Sequence, residues 1–144
     1  MMFNLADMKF ERELAAKKRL IKQEVGEIIC RLNNRGVLIS SITVREIFLL
    51  LDSNFRDLIQ KAIQYDLEVA KANMLTITKE EMMTRLDQSL SLTYQNIVFP
   101  IMSITAIEKL SYHLKDCFEK MLESIKIDAQ RDLYIAIIEI ECDQ

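Results

Sequence analysis

The sequence predicts an all-α chain, a compact single-domain bundle of five to seven helices. Three observations carry that expectation. The 144 residues hold two glycines and one proline, little material for the tight turns of sandwiches, barrels and doubly wound sheets. Apolar residues recur at helical spacing over most of the chain. Three runs also fit the capping box ahead of an apolar pattern: Thr43-Val44-Arg45-Glu46, Thr78-Lys79-Glu80-Glu81 and Thr105-Ala106-Ile107-Glu108. In that box the Thr hydroxyl accepts from the N3 amide while the Glu carboxylate reaches back to the N-cap amide.

The length suits one domain over 1–144, with enough chain to bury its own core. A long amphipathic helix is expected over 5–34, with Phe10, Leu14, Ile21, Val25, Ile28 and Leu32 as its stripe and Ile29 widening it. Gly26 inside it costs about 1 kcal/mol against Ala, which points to a close helix crossing there. Asn33-Asn34-Arg35-Gly36 is the stop signal, and 37–42 is a connector with room for a brief extended stretch. A short helix over 44–51 (Ile47, Phe48, Leu50, Leu51), a turn at Asp52-Ser53-Asn54 and a helix over 55–74 (Phe55, Leu58, Ile59, Ala62, Ala70, Met74) follow.

C-terminal helical hairpins are expected over 78–144. Met82, Met83, Leu86, Leu90 and Ile97 mark a helix over 79–97, which must end before Pro100 because the ring opposes helical geometry upstream. Ile107, Leu110, Leu114, Cys117, Phe118, Met121 and Ile125 mark one over 106–126. Asp128 is a further N-cap candidate. Residues 133–140 read as strand by their β-branched content and as helix by the Leu133–Ile137–Ile140 stripe. With no second strand to pair with, helix is the expectation. The runs beginning Ser41-Ile42-Thr43 and Ser103-Ile104-Thr105 look alike, which convergent capping chemistry explains more simply than duplication.

Net charge is −3, unevenly spread: residues 1–35 carry eight basic and five acidic side chains, residues 101–144 five and nine. Such polarity suits a charged partner. The odd, widely spaced Cys30, Cys117 and Cys142 imply no disulfide framework, so a reducing, cytoplasmic setting is expected. Met1-Met2-Phe3-Asn4 lacks the basic and apolar regions of a signal peptide. Residues 88–107 are uncharged but rich in Gln, Ser, Thr and Asn around Pro100, so no membrane span is expected.

Chemistry has thin support. His113 and Cys117 share a helical face beside Asp116, but a zinc site needs two more ligands, and Cys117 is in phase with core residues. The carboxylates Glu80/Glu81, Asp128/Asp132 and Glu139/Glu141/Asp143 sit at helix starts or the acidic end. Phosphate loops, dinucleotide fingerprints and nucleophile elbows are missing from the sequence. The expectation is no enzyme, no catalytic residue, no metal and no cofactor.

Two binding readings remain. Lys17, Lys18, Arg19 and Lys22 form the one basic cluster, a candidate contact for an anionic partner. Residues 43–64 fit a helix-turn-helix, with Arg45, Arg56, Gln60 and Lys61 as base- or phosphate-reading side chains, so nucleic acid is the alternative partner. Within them, Thr43-Val44-Arg45-Glu46-Ile47 resembles the amino-terminal module of plasmid KfrA-type regulators, without the usual turn glycines; no family assignment follows. The first expectation is a non-enzymatic adaptor or regulatory protein working through protein contacts. Eight methionines and the apolar 133–140 segment favour self-association, with a homodimer expected.

Overall fold

In the computed structural model, which describes residues 2–73 and 77–142, the chain folds into four long helices. They are α1 (Asn4–Asn34), α2 (Ser41–Ala72), α3 (Lys79–Met102) and α4 (Ser111–Cys142), and no strand occurs among the described residues. A 3₁₀ turn, Thr105–Leu110, leads into α4. The all-α expectation holds. The count does not: four helices stand where five to seven were expected, because two expected breaks are not made.

The first missing break is at Asp52-Ser53-Asn54, which lies inside α2. These residues favour turns by bonding locally to backbone. Here the Asn54 side chain does so without leaving the helix, donating to the Leu50 carbonyl one turn back at 2.8 Å. Asp52 pairs with Arg56 at i+4, 3.2 Å away. The buried series Ile47, Leu51, Phe55, Leu58, Ala62 runs through without a phase change, so packing overrides the local turn preference. Asp128 likewise caps nothing and sits mid-α4, so 111–142 is one helix that includes the ambiguous 133–140 segment. Leu133, Ile137 and Ile140 are buried there at helical spacing.

Helix ends show how much each local signal was worth. Gly36 adopts φ +71°, with Gly36 N–H donating to Asn33 O and Val37 N–H to Leu32 O, both at 3.0 Å. That is a Schellman closure, as the sequence implied. Of the three capping boxes, one makes its threonine half: Glu81 N–H donates to Thr78 Oγ1 at 3.1 Å, without the reciprocal bond from Thr78 N–H to the Glu81 carboxylate. Thr43 is instead buried in the first turn of α2 and donates to the Leu38 carbonyl at 2.5 Å, holding the 35–40 connector against the helix. Ser40 supplies the expected extended residue, at φ −157° and ψ 167°. Thr105 opens the 3₁₀ turn without capping it, so the look-alike runs at 41 and 103 begin different structures.

Pro100 does not end its helix. The α3 backbone changes to π geometry over Tyr94–Val98, with Phe99 N–H reaching back to Tyr94 O, and resumes α geometry at Phe99–Met102. A proline lacks the N–H for the carbonyl four residues back and crowds it. Widening the preceding turn relieves both conflicts.

α2 and α3 form the central antiparallel pair, with α1 on one side and α4 on the other. Ion pairs Lys9–Glu68, Lys17–Asp57 and Arg31–Glu46 set α1 antiparallel to α2. α1 and α3 therefore run parallel, as do α2 and α4. One core joins all four helices, from Phe10 and Val25 through Phe55 and Leu86 to Phe118 and Leu133. Met74, expected on the buried face of α2, lies outside the described residues.

Candidate functional site

Charged residues of the α1–α2 seam are spent on the fold. Lys17 Nζ lies 2.9 Å from Asp57 and donates to Asn54 Oδ1 at 3.0 Å. Lys61 bridges Glu13 at 3.0 Å and Asp57 at 3.5 Å, while the Tyr65 hydroxyl donates to Glu13 at 3.3 Å. The hydrogen bond from Lys17 holds the Asp57 carboxyl below its ordinary range, and the bond to Glu13 raises Lys61. On α2's other side, Arg56 pairs with Asp128 of α4 at 2.7 Å and donates to Ser124 at 3.2 Å. Arg85 grips the buried Asp66 through two bonds of 3.0 and 3.1 Å, also pairs with Asp7, and stacks on Phe3. Burial outweighs Arg85 in raising Asp66 above the usual carboxylate range.

These bonds redistribute the residues singled out in the sequence. The basic cluster is divided: Lys17 belongs to the seam, Arg19 is exposed, and Lys18 and Lys22 line a groove between α1 and α3. The helix-turn-helix lacks its turn, because 41–72 is a single helix. Of its reading residues, Arg56 and Lys61 are held in ion pairs, Gln60 is exposed, and Arg45 borders a groove between the starts of α2 and α4. His113 and Cys117 line that same groove, so Cys117 is half-buried at the core's edge and not inside it as its phase implied. Among the described residues no group of three His, Cys, Asp or Glu side chains is placed to hold a metal.

Two features of the surface remain after this accounting. One is the outer face of α4. Ile127, Tyr134, Ile135 and Ile138 are 59, 44, 47 and 39% exposed. Ile127, Tyr134 and Ile138 recur at i, i+7 and i+11, a stripe opposite the buried Ile125, Ala129, Leu133, Ile137 and Ile140. A helix apolar on two opposite faces buries only one of them in this bundle. Arg131 lies within the outer stripe, and Lys79 Nζ sits 3.9 Å from the Tyr134 ring centroid. The sequence signal is the apolar 133–140 run, which contains Tyr134 and Ile138 but not Ile127.

The other is the α1–α3 groove, about 440 Å³, with Lys18, Ile21, Lys22, Val25, Gly26 and Ile29 on one wall. Asn96, Ile97, Pro100, Ile101 and Ile104 form the opposite wall. A Cβ on Gly26 would meet no atom within 4 Å. The close helix crossing expected at Gly26 is therefore absent, and the residue borders open space. Comparison with known protein families, curated proteins and solved structures finds no match. No single helix among the described residues is long and apolar enough to cross a membrane, and the uncharged 88–107 stretch is divided between α3 and the 3₁₀ turn.

Proposed function

We propose that this chain is a non-enzymatic helical adaptor or regulatory protein that works through protein contacts and pairs with a second copy of itself through α4. The outward stripe Ile127–Tyr134–Ile138 carries the reading, because it leaves three large apolar side chains in water around Arg131 on a helix whose opposite face is already packed. Its spacing suits a two-fold antiparallel contact centred between Arg131 and Tyr134. In that arrangement Ile127 meets Ile138, and Arg131 meets the Tyr134 ring, the self-complementarity that a two-fold interface demands. The stripe is about 17 Å long at the helical rise, which favours a small, exchangeable contact over an obligate one. Free Cys30, Cys117 and Cys142 support a reducing, cytoplasmic setting.

Sedimentation velocity across micromolar concentrations tests the reading. The wild-type chain should show a concentration-dependent dimer, and the Ile127→Glu/Ile138→Glu double variant should be monomeric with unchanged helical circular dichroism. A wild-type chain that stays monomeric across that range refutes the self-association.

A further inference from the structure

The α1–α3 groove is polar at one end and apolar at the other. Because α1 and α3 run parallel, the lining residues follow the same order on both walls, from Lys18, Lys22, Asn96 and Ile97 at one end to Ile29 and Ile104 at the other. Neither lysine has a carboxylate partner within ion-pair distance among the described residues, whereas Lys17 next to them has one. The Asn96 amide already donates to the Leu92 carbonyl at 2.8 Å, which leaves the two ammonium groups as the cationic end. Beyond them the walls are aliphatic.

Two further observations bear on this groove. Gly26 sits mid-helix, where glycine weakens the helix, yet no packing atom requires its lack of a side chain. Its one structural consequence is an open stretch of the α1 wall. The π segment Tyr94–Val98 supplies Asn96 and Ile97 to the opposite wall, and such irregular turns recur at functional sites. The volume of about 440 Å³ lies within the range of small-molecule sites, roughly 300–1,000 Å³. From Lys18 to Ile29 the groove runs about 16 Å along α1, the reach of an extended medium-chain alkyl tail.

We propose that this groove binds a free single-chain anionic amphiphile, a fatty-acid-like carboxylate, with its headgroup between Lys18 and Lys22 and its tail over Gly26 toward Ile29 and Ile104. The cations and the aliphatic far end are complementary to the two ends of such a molecule, and the aliphatic end disfavours a ligand polar throughout.

The test is calorimetric titration of the full chain with dodecanoate below its micelle concentration, since the sequence has no Trp to report by fluorescence. Dodecanoate should bind at one site per chain, with affinity falling about fourfold for each methylene removed from the tail. Dodecyltrimethylammonium, with the same tail and a cationic head, should bind at least tenfold more weakly. Gly26→Leu fills the groove from the α1 wall, at a position where an added Cβ meets nothing within 4 Å, so it should abolish binding while thermal stability is kept or raised. Lys18→Glu/Lys22→Glu should weaken dodecanoate at least tenfold and relieve the penalty on the cationic amphiphile. The proposal is overturned if dodecanoate does not bind, if Gly26→Leu binds it as well as wild type does, or if head charge makes no difference. It is equally overturned if phosphatidylglycerol vesicles or an acidic amphipathic peptide bind this groove and free dodecanoate does not.

Discussion

The two glycines make a paired prediction with opposite signs. At both positions an added Cβ would meet nothing within 4 Å, so steric crowding drops out and backbone conformation alone decides the effect. Gly26 lies inside α1, where alanine removes unfolded-state freedom and adds helix propensity. Gly26→Ala should therefore stabilise by about 0.5–1 kcal/mol. Gly36 sits at φ +71°, where an L side chain is strained by its own backbone at about 1–2 kcal/mol. Gly36→Ala should destabilise by that amount while the Schellman hydrogen bonds hold the conformation in place. With an unfolding entropy near 2.1 cal/mol/K per residue, 144 residues give about 0.3 kcal/mol/K, so 1 kcal/mol moves Tm by about 3 °C. The two variants should differ by about 5–9 °C in far-UV circular dichroism melts at one fixed protein concentration. Urea unfolding with an unchanged m-value should return the same signs. If both variants shift in the same direction, the assignment of conformation as the deciding factor is wrong.

Further predictions follow from the buried and paired groups. Phe118→Ala, in the centre of the core, should cost about 3–5 kcal/mol in urea unfolding. Arg85→Met strands the buried Asp66 and should cost about 3 kcal/mol, of which the Arg85→Met/Asp66→Asn double variant recovers most. Asp57 is held below its unfolded pKa of about 3.9, mainly by the Lys17 hydrogen bond. The stability it contributes is therefore full above that value and lost as pH falls through the folded-state pKa. Lys17→Met should flatten this part of the stability–pH curve between wild type and variant. With the Asp57 side chain 41% exposed, solvent screening keeps the difference under about 1 kcal/mol.

Legibility followed the range over which each signal acts. Gly36 and Thr78 worked as read because a C-cap and an N-cap are closed by residues within one turn. The stripes of α1 and α4 were legible for the same reason, since period alone places Val25 or Leu133 inward. Asp52-Ser53-Asn54 misled because its side chains bond without leaving the helix, Asn54 to Leu50 and Lys17, and Asp52 to Arg56, while the neighbouring Phe55 is fixed by core packing. Pro100 misled because its conflict with the helix is relieved by a π turn just upstream, and nothing in the 94–98 sequence marks that turn. The candidate surfaces were half legible. The apolar 133–140 run pointed to α4, whereas the groove needed α1 and α3 side by side, a pairing no spacing within one segment reveals.

The basic cluster shows why residue type alone gave the wrong unit. Lys17, Lys18, Arg19 and Lys22 are one run in sequence but occupy different environments, because successive helical positions turn about 100° apart. Lys17 turns to α2 and fixes the antiparallel register through Asp57. Lys18 and Lys22, four apart, share a face and turn to α3. Removing Lys17 should thus act on stability and its pH dependence, whereas reversing Lys18 and Lys22 should act on ligand binding and leave stability nearly unchanged. The two perturbations sit one residue apart on the same helix, so a general loss of positive charge cannot account for a clean division of their effects. If Lys17→Met weakens dodecanoate as much as the Lys18→Glu/Lys22→Glu pair does, the cluster acts as a single electrostatic patch, and the division by helical face fails.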